Sequence, residues 1–373
     1  MTSNRKAQRL VIKIGSSSLT SRSGEISLKK MEKLVDEVVM LKDAGHEVVL
    51  VSSGAVAAGY RKLGCLTRPD SLPEKQAAAS IGQGLLIESY SKLFISHGYV
   101  ASQILITRSD FLDEDRYTNV RNTLNILLER GIIPIVNEND TVTVDRLKFG
   151  DNDTLSAKVG GLVEADQLII LSDIDGLYTA NPLKDPNAKL LEKVTDITPE
   201  IEEAAGGSGS SVGTGGMKSK IEAVKIALAS GVAVFLGNAG TKNIVNGAVL
   251  GSAKGTYFVN EEPALNLNQK EKWIAFHSCP KGEIMIDQPA KQSIIENGQG
   301  LKSAGIIDVL GSFEEGSVVR INDPYGNEVG CGVVNVSSAE LMQSLEASNQ
   351  GKNKANIIDS SQIVCHVNVP ITV

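Results

Sequence analysis

Cysteine and histidine are scarce in this chain, four of each among 373 residues, and neither type clusters. The cysteines (Cys65, Cys279, Cys331, Cys365) form no CxxC pair. Cys365 beside His366, and His277 near Cys279, lack zinc-finger spacing, so no metal cluster is expected. No GxSxG elbow is present, which removes the serine-hydrolase nucleophile. No apolar run approaches the roughly 20 residues that a membrane helix needs. The opening stretch MTSNRKAQRLVIKIGSS passes from basic residues into a short apolar run without the length or cleavage site of a signal peptide. Positive charge is also in deficit: 37 Lys+Arg against 44 Asp+Glu, a net charge of −7. A general attraction to nucleic acid or to anionic membrane is therefore not expected. Together these absences predict a soluble, cytoplasmic protein.

What is present suffices for two domains, with a hydrophobic content of 42% that allows a sizeable core. The first 260 residues alternate apolar runs with helical patterns. RLVIKI (9–14), EVVLVSS (47–53), ASQILIT (101–107), GIIPIVN (131–137), DQLIILSD (166–173) and VAVFLGN (232–238) are apolar on both alternating positions, which predicts strands covered on both faces. Between them, SLKKMEKLVDEVVMLKDAG places Met31, Leu34, Val35, Val38 and Leu41 on one helical stripe, with Ser27 as N-cap and Gly45 past the end. The alternation predicts an α/β fold, a mostly parallel open sheet sandwiched by helices, with ligands at the carboxyl ends of the strands. The pattern changes at 260–272, NEEPALNLNQKEK, which is polar and aperiodic. Beyond it, GEIMID, GIIDVL, SVVRI, NEVGCGVV and SQIVCHVNV, with the turn DPYGN, predict a small β-rich domain. The expected division is 1–265 and 273–373.

The first domain has neither GxGxxG nor GxxxxGK[ST], so Rossmann and P-loop nucleotide sites are excluded. Its strands nevertheless end in KIGSSSL, VSSGAVAAG, VNENDTV and LSDIDG. One polar ending is an ordinary loop; four on one sheet edge describe a pocket. GTGGMKSK (213–220) leads into a helix with Met217, Ile221, Val224 and Leu228 on one face. Its first turn would aim free N–H groups, Lys218 and Lys220 at an anion, although a Gly/Ser loop with lysines is more often a solvated linker. Lys13, alone inside RLVIKI, reads by itself as an edge-strand lysine reaching water. Asp151 and Asp153 flank Asn152 just ahead of a helix expected over 154–163, where they could serve only as caps.

Six motifs in order, KIGSSSL, VSSGAVAAG, PIVNENDTV, FGDNDTLSA, LSDIDGLYTANP and GTGGMKSKIEAVKIA, resemble the amino acid kinase superfamily and, within it, the glutamate 5-kinases. The resemblance spans about 8–260. The tail, including GSFEEGSVVRINDPYGNEVGCGVVNVSSAEL (311–341), resembles the PUA domain that many of these kinases carry. The resemblance implies ATP-dependent phosphorylation of the γ-carboxylate of L-glutamate, the first step of proline synthesis. It implies that Lys13 and Lys220 contact phosphoryl groups and that Asp153 organises the two lysines. It assigns glutamate to Ser53, Asp140 and Asn152, and ATP to Lys13, Ser172, Asp173, Thr214, Gly215, Gly216, Met217, Lys218, Ser219 and Lys220. It further implies Mg2+ held mainly through the ATP phosphates, feedback by L-proline, a homo-oligomer, and handover of glutamyl phosphate to glutamyl phosphate reductase.

These residue types suit the chemistry. A carboxylate is already ionised near neutral pH and needs no general base, so the task is to align two anions and neutralise their charge. Asp140 and Asn152 offer partners for a substrate ammonium, which acetylglutamate lacks. A nucleotide acceptor would call for arginines, and the four strand-end loops contain none. Aspartate as acceptor is set aside by the resemblance alone. An RNA-binding tail is disfavoured, since 273–373 holds 6 Lys+Arg against 11 Asp+Glu.

Overall fold

The computed structural model describes residues 6–21, 25–143, 152–182, 185–205, 216–260, 267–348 and 356–365. The chain divides into two compact units, Met1–Asp110 with Asp115–Pro263, and Phe111–Glu114 with Ala264–Val373. Through residue 258 the order is β1 (Arg9–Ile14), α1 (Ser16–Leu19), α2 (Leu28–Asp43), β2 (Glu47–Ser52), α3 (Ala55–Gly59), α4 (Leu72–Ser96), β3 (Ala101–Ile106), α5 (Arg108–Leu112), α6 (Glu114–Glu129), β4 (Ile133–Glu138), α7 (Asn152–Leu162), β5 (Gln167–Ser172), β6 (Lys193–Val194), α8 (Pro199–Ala205), α9 (Met217–Ala229), β7 (Ala233–Asn238), α10 (Ile244–Leu250) and β8 (Thr256–Phe258).

Each of the six apolar runs forms a strand, and two short strands complete one sheet in the order β3-β4-β2-β1-β5-β7-β8-β6. All neighbours are parallel except β7 and β8. One of the two central strands is β1, paired with β2 on one side and β5 on the other. Its Leu10, Val11 and Ile12 have no exposed surface, as expected of a strand covered on both faces. The same expectation fails for β3. That strand pairs only with β4 at the end of the sheet, and Gln103 and Leu105 are exposed. An apolar run does not reveal whether it ends up in the middle or at the rim.

Helix α2 follows its pattern. Met31, Leu34, Val35, Val38 and Leu41 are buried, Ser27 is the N-cap residue, and Gly45 takes a positive φ just beyond the end. One acid, Glu37, is buried in the same stripe.

The second unit contains α11 (Gln269–Phe276), β9 (Gly282–Ile286), α12 (Gln288–Asn297), β10 (Leu301–Lys302), β11 (Ile306–Gly311), β12 (Val318–Asn322), β13 (Glu328–Val333), α13 (Ser338–Ser348), β14 (Asn356–Ile358) and β15 (Ile363–Cys365). A five-stranded sheet runs β11-β9-β12-β13-β15, and β10 pairs with β14. DPYGN is a turn, closed by the Asp323 N–H donating to the Asn327 carbonyl. Of the stretch expected to be aperiodic, 261–266 lie outside the described residues and the end begins a helix. Asn268 and Glu271 form a reciprocal capping box that starts α11, a signature present in the sequence as N-x-x-E.

Candidate active site

Because β1, β2, β4, β5 and β7 run parallel, their carboxyl ends share one edge, and the polar strand endings gather there. Lys13 is the next-to-last residue of β1. It is 6% exposed, on one of the two central strands, so the edge-strand reading fails. Its ammonium meets Asp153 Oδ1 at 2.5 Å. From the other side Lys220 Nζ meets Asp153 Oδ2 at 3.1 Å, and Ser219 Oγ donates to the same oxygen at 3.4 Å.

Local structure brings these groups together. Helix α7 begins at Asn152, two residues earlier than the pattern suggested, which turns Asp153 inward in the first turn. Helix α9 begins at Met217, so Lys220 falls on its buried face while Lys218 is exposed. The linker reading therefore fails for Lys220, and the cap-only reading fails for Asp153, whose side chain has no exposed surface. Burial would push the Asp153 carboxyl up, but Lys13 and Lys220 outweigh it and hold it below its usual range. Two cations thus converge on one anion in a buried place, where removing each ion from water is costly.

A second group lies at the ends of β2 and β4. Asn152 Nδ2 donates to Ser53 Oγ at 2.8 Å, to Asn137 Oδ1 at 3.0 Å and to the Ser52 carbonyl at 3.1 Å. Adjacent residues on α7 thus face the two halves of the site, Asn152 toward β2 and β4, and Asp153 toward the lysines. Asn137 was not singled out from the sequence. Its signal was its place as the first polar residue closing GIIPIVN. Asp140 stands half-buried on the turn after β4. Behind this group Ser52 Oγ and the Tyr90 hydroxyl lie 3.0 Å apart, both buried.

The last glycine of VSSGAVAAG serves packing. A Cβ on Gly59 would stand 1.9 Å from the Ala78 carbonyl oxygen, and one on Gly82 would stand 1.7 Å from that of Ala55. Backbone contact between α3 and α4 therefore requires glycine at both positions, and it fixes where the Ser53 loop enters α3.

A cleft of about 540 Å³ opens at the ends of β1, β5 and β7, lined by Ser17, Ser18, Ser172, Asp173, Asn238 and Gly240. Ser172 Oγ donates to Asp173 Oδ1 at 3.1 Å. Lys29, Lys30, Lys33 and Glu37 of α2 form its opposite wall. Burial raises the Glu37 carboxyl above its ordinary range, against the opposing pull of the Val245 N–H and Lys33. Gly216, Met217 and Ser219 lie at the start of α9, whereas Thr214 and Gly215 lie outside the described residues.

Comparison with known proteins bears on this geometry. The amino acid kinase family model matches residues 8–238, and the PUA domain model matches 282–349. The glutamate 5-kinase 2 of Bacillus licheniformis is 61% identical over 373 residues, covering the whole of both chains. Its namesake in Bacillus subtilis is 60% identical over the same span. The glutamate 5-kinase of Moorella thermoacetica is 46% identical over 336 residues, 90% of this chain and 88% of that one. Among solved structures, the carbamate kinase of Giardia lamblia bound to AMP-PNP aligns with a TM-score of 0.50 at 18% identity, covering 68% of this chain and 99% of that one. At that identity the likeness bears on the fold alone.

Proposed function

This chain belongs to the amino acid kinase family and, within it, to the glutamate 5-kinases, and from that premise we propose that it transfers the γ-phosphoryl group of ATP to the side-chain carboxylate of L-glutamate. The observation that carries the reading is the buried Lys13–Asp153–Lys220 arrangement at the carboxyl edge of a central strand. A glutamate carboxylate oxygen attacks the γ-phosphorus, the bond to the β-bridging oxygen breaks, and ADP and an acyl phosphate result. No proton has to be removed from the nucleophile.

In this reading the two ammonium groups neutralise charge that spreads over the phosphoryl oxygens as it moves, Lys13 at the transferring group and Lys220 at the nucleotide. Asp153 is a positioning residue that holds both against it. Ser53, Asn152 and Asp140 receive glutamate, with Asp140 a partner for its ammonium. Ser172, Asp173 and the segment Thr214–Lys220 receive ATP. Both Asp153 oxygens are taken by lysines, so Mg2+ would be held mainly through the ATP phosphates, where it supplies charge neutralisation.

We extend the proposal to the residues' setting. Residues 1–265 carry the kinase and 273–373 a separate module. The chain works in the cytoplasm as a homo-oligomer and passes glutamyl phosphate to glutamyl phosphate reductase. L-Proline shares the α-carboxylate and cationic nitrogen of glutamate but has no γ-carboxylate, so it would occupy the Ser53–Asp140–Asn152 site without reacting. TVTVDRLKFG (141–150), which adjoins that site in sequence, lies mostly outside the described residues.

The test is to incubate protein, ATP and Mg2+ with glutamate, aspartate or acetylglutamate and to trap acyl phosphate with hydroxylamine. Hydroxamate should form with glutamate and little with the other two. Equal turnover of aspartate would defeat the assignment.

A further inference from the structure

Three residues on one face of α2 grip the loops that wall the 540 Å³ cleft. Lys30 Nζ donates to the Thr20 carbonyl at 2.6 Å and to that of Ser17 at 3.2 Å, holding the segment that follows β1. One turn on, Lys33 Nζ donates to three successive carbonyls, Ala239 at 3.2 Å, Gly240 at 3.0 Å and Thr241 at 2.8 Å. One further turn on, Glu37 is 5% exposed and its Oε2 accepts the Val245 N–H at 2.8 Å. The spacing i, i+3, i+7 puts all three on one side of the helix.

The donor count separates their role from that of Lys13 and Lys220. An ammonium has three N–H donors, and Lys33 spends all three on carbonyls. It has none left for a phosphate oxygen, although it lines the cleft. Lys33 and Glu37 act instead on the two ends of the loop between β7 and α10, the first on its carbonyls and the second on an N–H at the start of the helix. Asn238, at the front of that loop, receives the Gly240 N–H on Oδ1 at 2.8 Å and gives an N–H to Asp175 Oδ1 at 3.0 Å. The loop is thereby tied both to α2 and, through Asp175, to the segment that follows Ser172 at the end of β5.

We propose that Lys33 and Glu37, assisted by Lys30, are positioning residues that set the shape of the nucleotide cleft by clamping its β1 and β7 walls to α2. The inference rests on the kinase reading and on that cleft, which Ser172 and Asp173 line but Lys13 and Lys220 do not, being part of the ATP site. Lys33 and Glu37 bond the loop after β7, whereas glutamate is assigned to the ends of β2 and β4, on the other side of β1 in the sheet.

The experiment measures KM for ATP and for glutamate by hydroxamate formation in the wild type and in Lys33→Met, Lys33→Arg and Glu37→Gln, together with hydrogen exchange of 238–245. Losing hydrogen bonds from a charged group should raise the ATP KM about tenfold in Lys33→Met. Glu37→Gln, which trades a charged acceptor for a neutral amide oxygen, should raise it in the same direction by about threefold. The glutamate KM should stay within about twofold, and exchange in 238–245 should quicken about tenfold. Lys33→Arg, which keeps donors and charge, should recover most of the ATP affinity. If Lys33→Met did not fold, the isosteric Glu37→Gln carries the same comparison. An active wild type beside variants whose ATP KM is unchanged would overturn the clamp and leave the kinase reading standing. So would equal rises in both KM values, the mark of general loosening. A wild type that forms no hydroxamate and binds no ATP in calorimetry would overturn the kinase reading and the clamp with it.

Discussion

Each of the two units carries a trio of charged side chains in which one ion stands between two of opposite sign, and the two trios differ in burial. In the first unit, Asp153 lies between Lys13 and Lys220 with side-chain exposures of 0%, 7% and 7%. In the second, Arg320 lies between Glu283 and Glu328, each at 3.2 Å, with exposures of 27%, 40% and 27%. Removing an ion from water costs several kcal/mol when it is fully buried, while a water-screened pair contributes on the order of 0–1 kcal/mol. The first trio therefore exists at a cost that stability alone does not explain, and the second needs no function to account for it.

The largest expected contrast comes from emptying the centre of the buried trio. Asp153→Ala leaves two ammonium groups without their shared counterion and should destabilise the first unit by about 3–5 kcal/mol, read by urea denaturation. The wild type should also show an acid limb. Its Asp153 carboxyl sits below the ordinary value of 3.8, so the stabilisation is complete above that pH and is lost as pH falls through the depressed value. Asp153→Ala should lack this limb, and a small change in stability would erase the contrast between the trios.

Next come the lysines. Lys13→Ala and Lys220→Ala should each lower kcat by about 10²–10³, the scale for losing one donor to transition-state charge, with much smaller changes in the glutamate KM. A Lys13 variant with near-normal kcat would make the buried trio structural after all.

Asp140→Ala should mainly raise the glutamate KM. L-Proline should compete with glutamate at the same group, so its inhibition should fade at saturating glutamate. Inhibition undiminished there would reject a shared site. Truncation near residue 265 should leave a folded kinase, because every charged group invoked above for catalysis lies before that point. Folded but inactive protein would put an essential residue in the second unit.

The smallest effect should be that of Glu283→Ala, within about 1 kcal/mol in denaturation and without effect on hydroxamate formation. A larger loss would mean that exposure misjudges the second trio.

Legibility from sequence followed the same divide between local and distant. The α2 stripe, the six strands and the start of α9 were all readable, because period and capping are properties of neighbouring residues. Glu37 was visible as an acid inside an apolar stripe, but its partner Val245 is 208 positions away and nothing in α2 announces it. Taken alone, Lys13 reads as an edge lysine, because strand order is not written in a strand. The half-exposed β3 was read as fully covered for the same reason. The Asn268–Glu271 box is present in the sequence, but the polar residues around it hide the start of α11.

The sequence by itself determined which segments become strands and helices, that a parallel sheet collects polar endings on one edge, and, through its six motifs, which chemistry to look for there. These follow from local periodicity and residue type. Only the tertiary structure decided that Lys13 lies on a central strand, that Asp153 is shared by two lysines from β1 and α9, and that Lys33 is spent on carbonyls and not left for phosphate. Those outcomes depend on strand order and on contacts between residues 66 to 208 positions apart, where burial sets the strength of each charge and no local pattern records the partner.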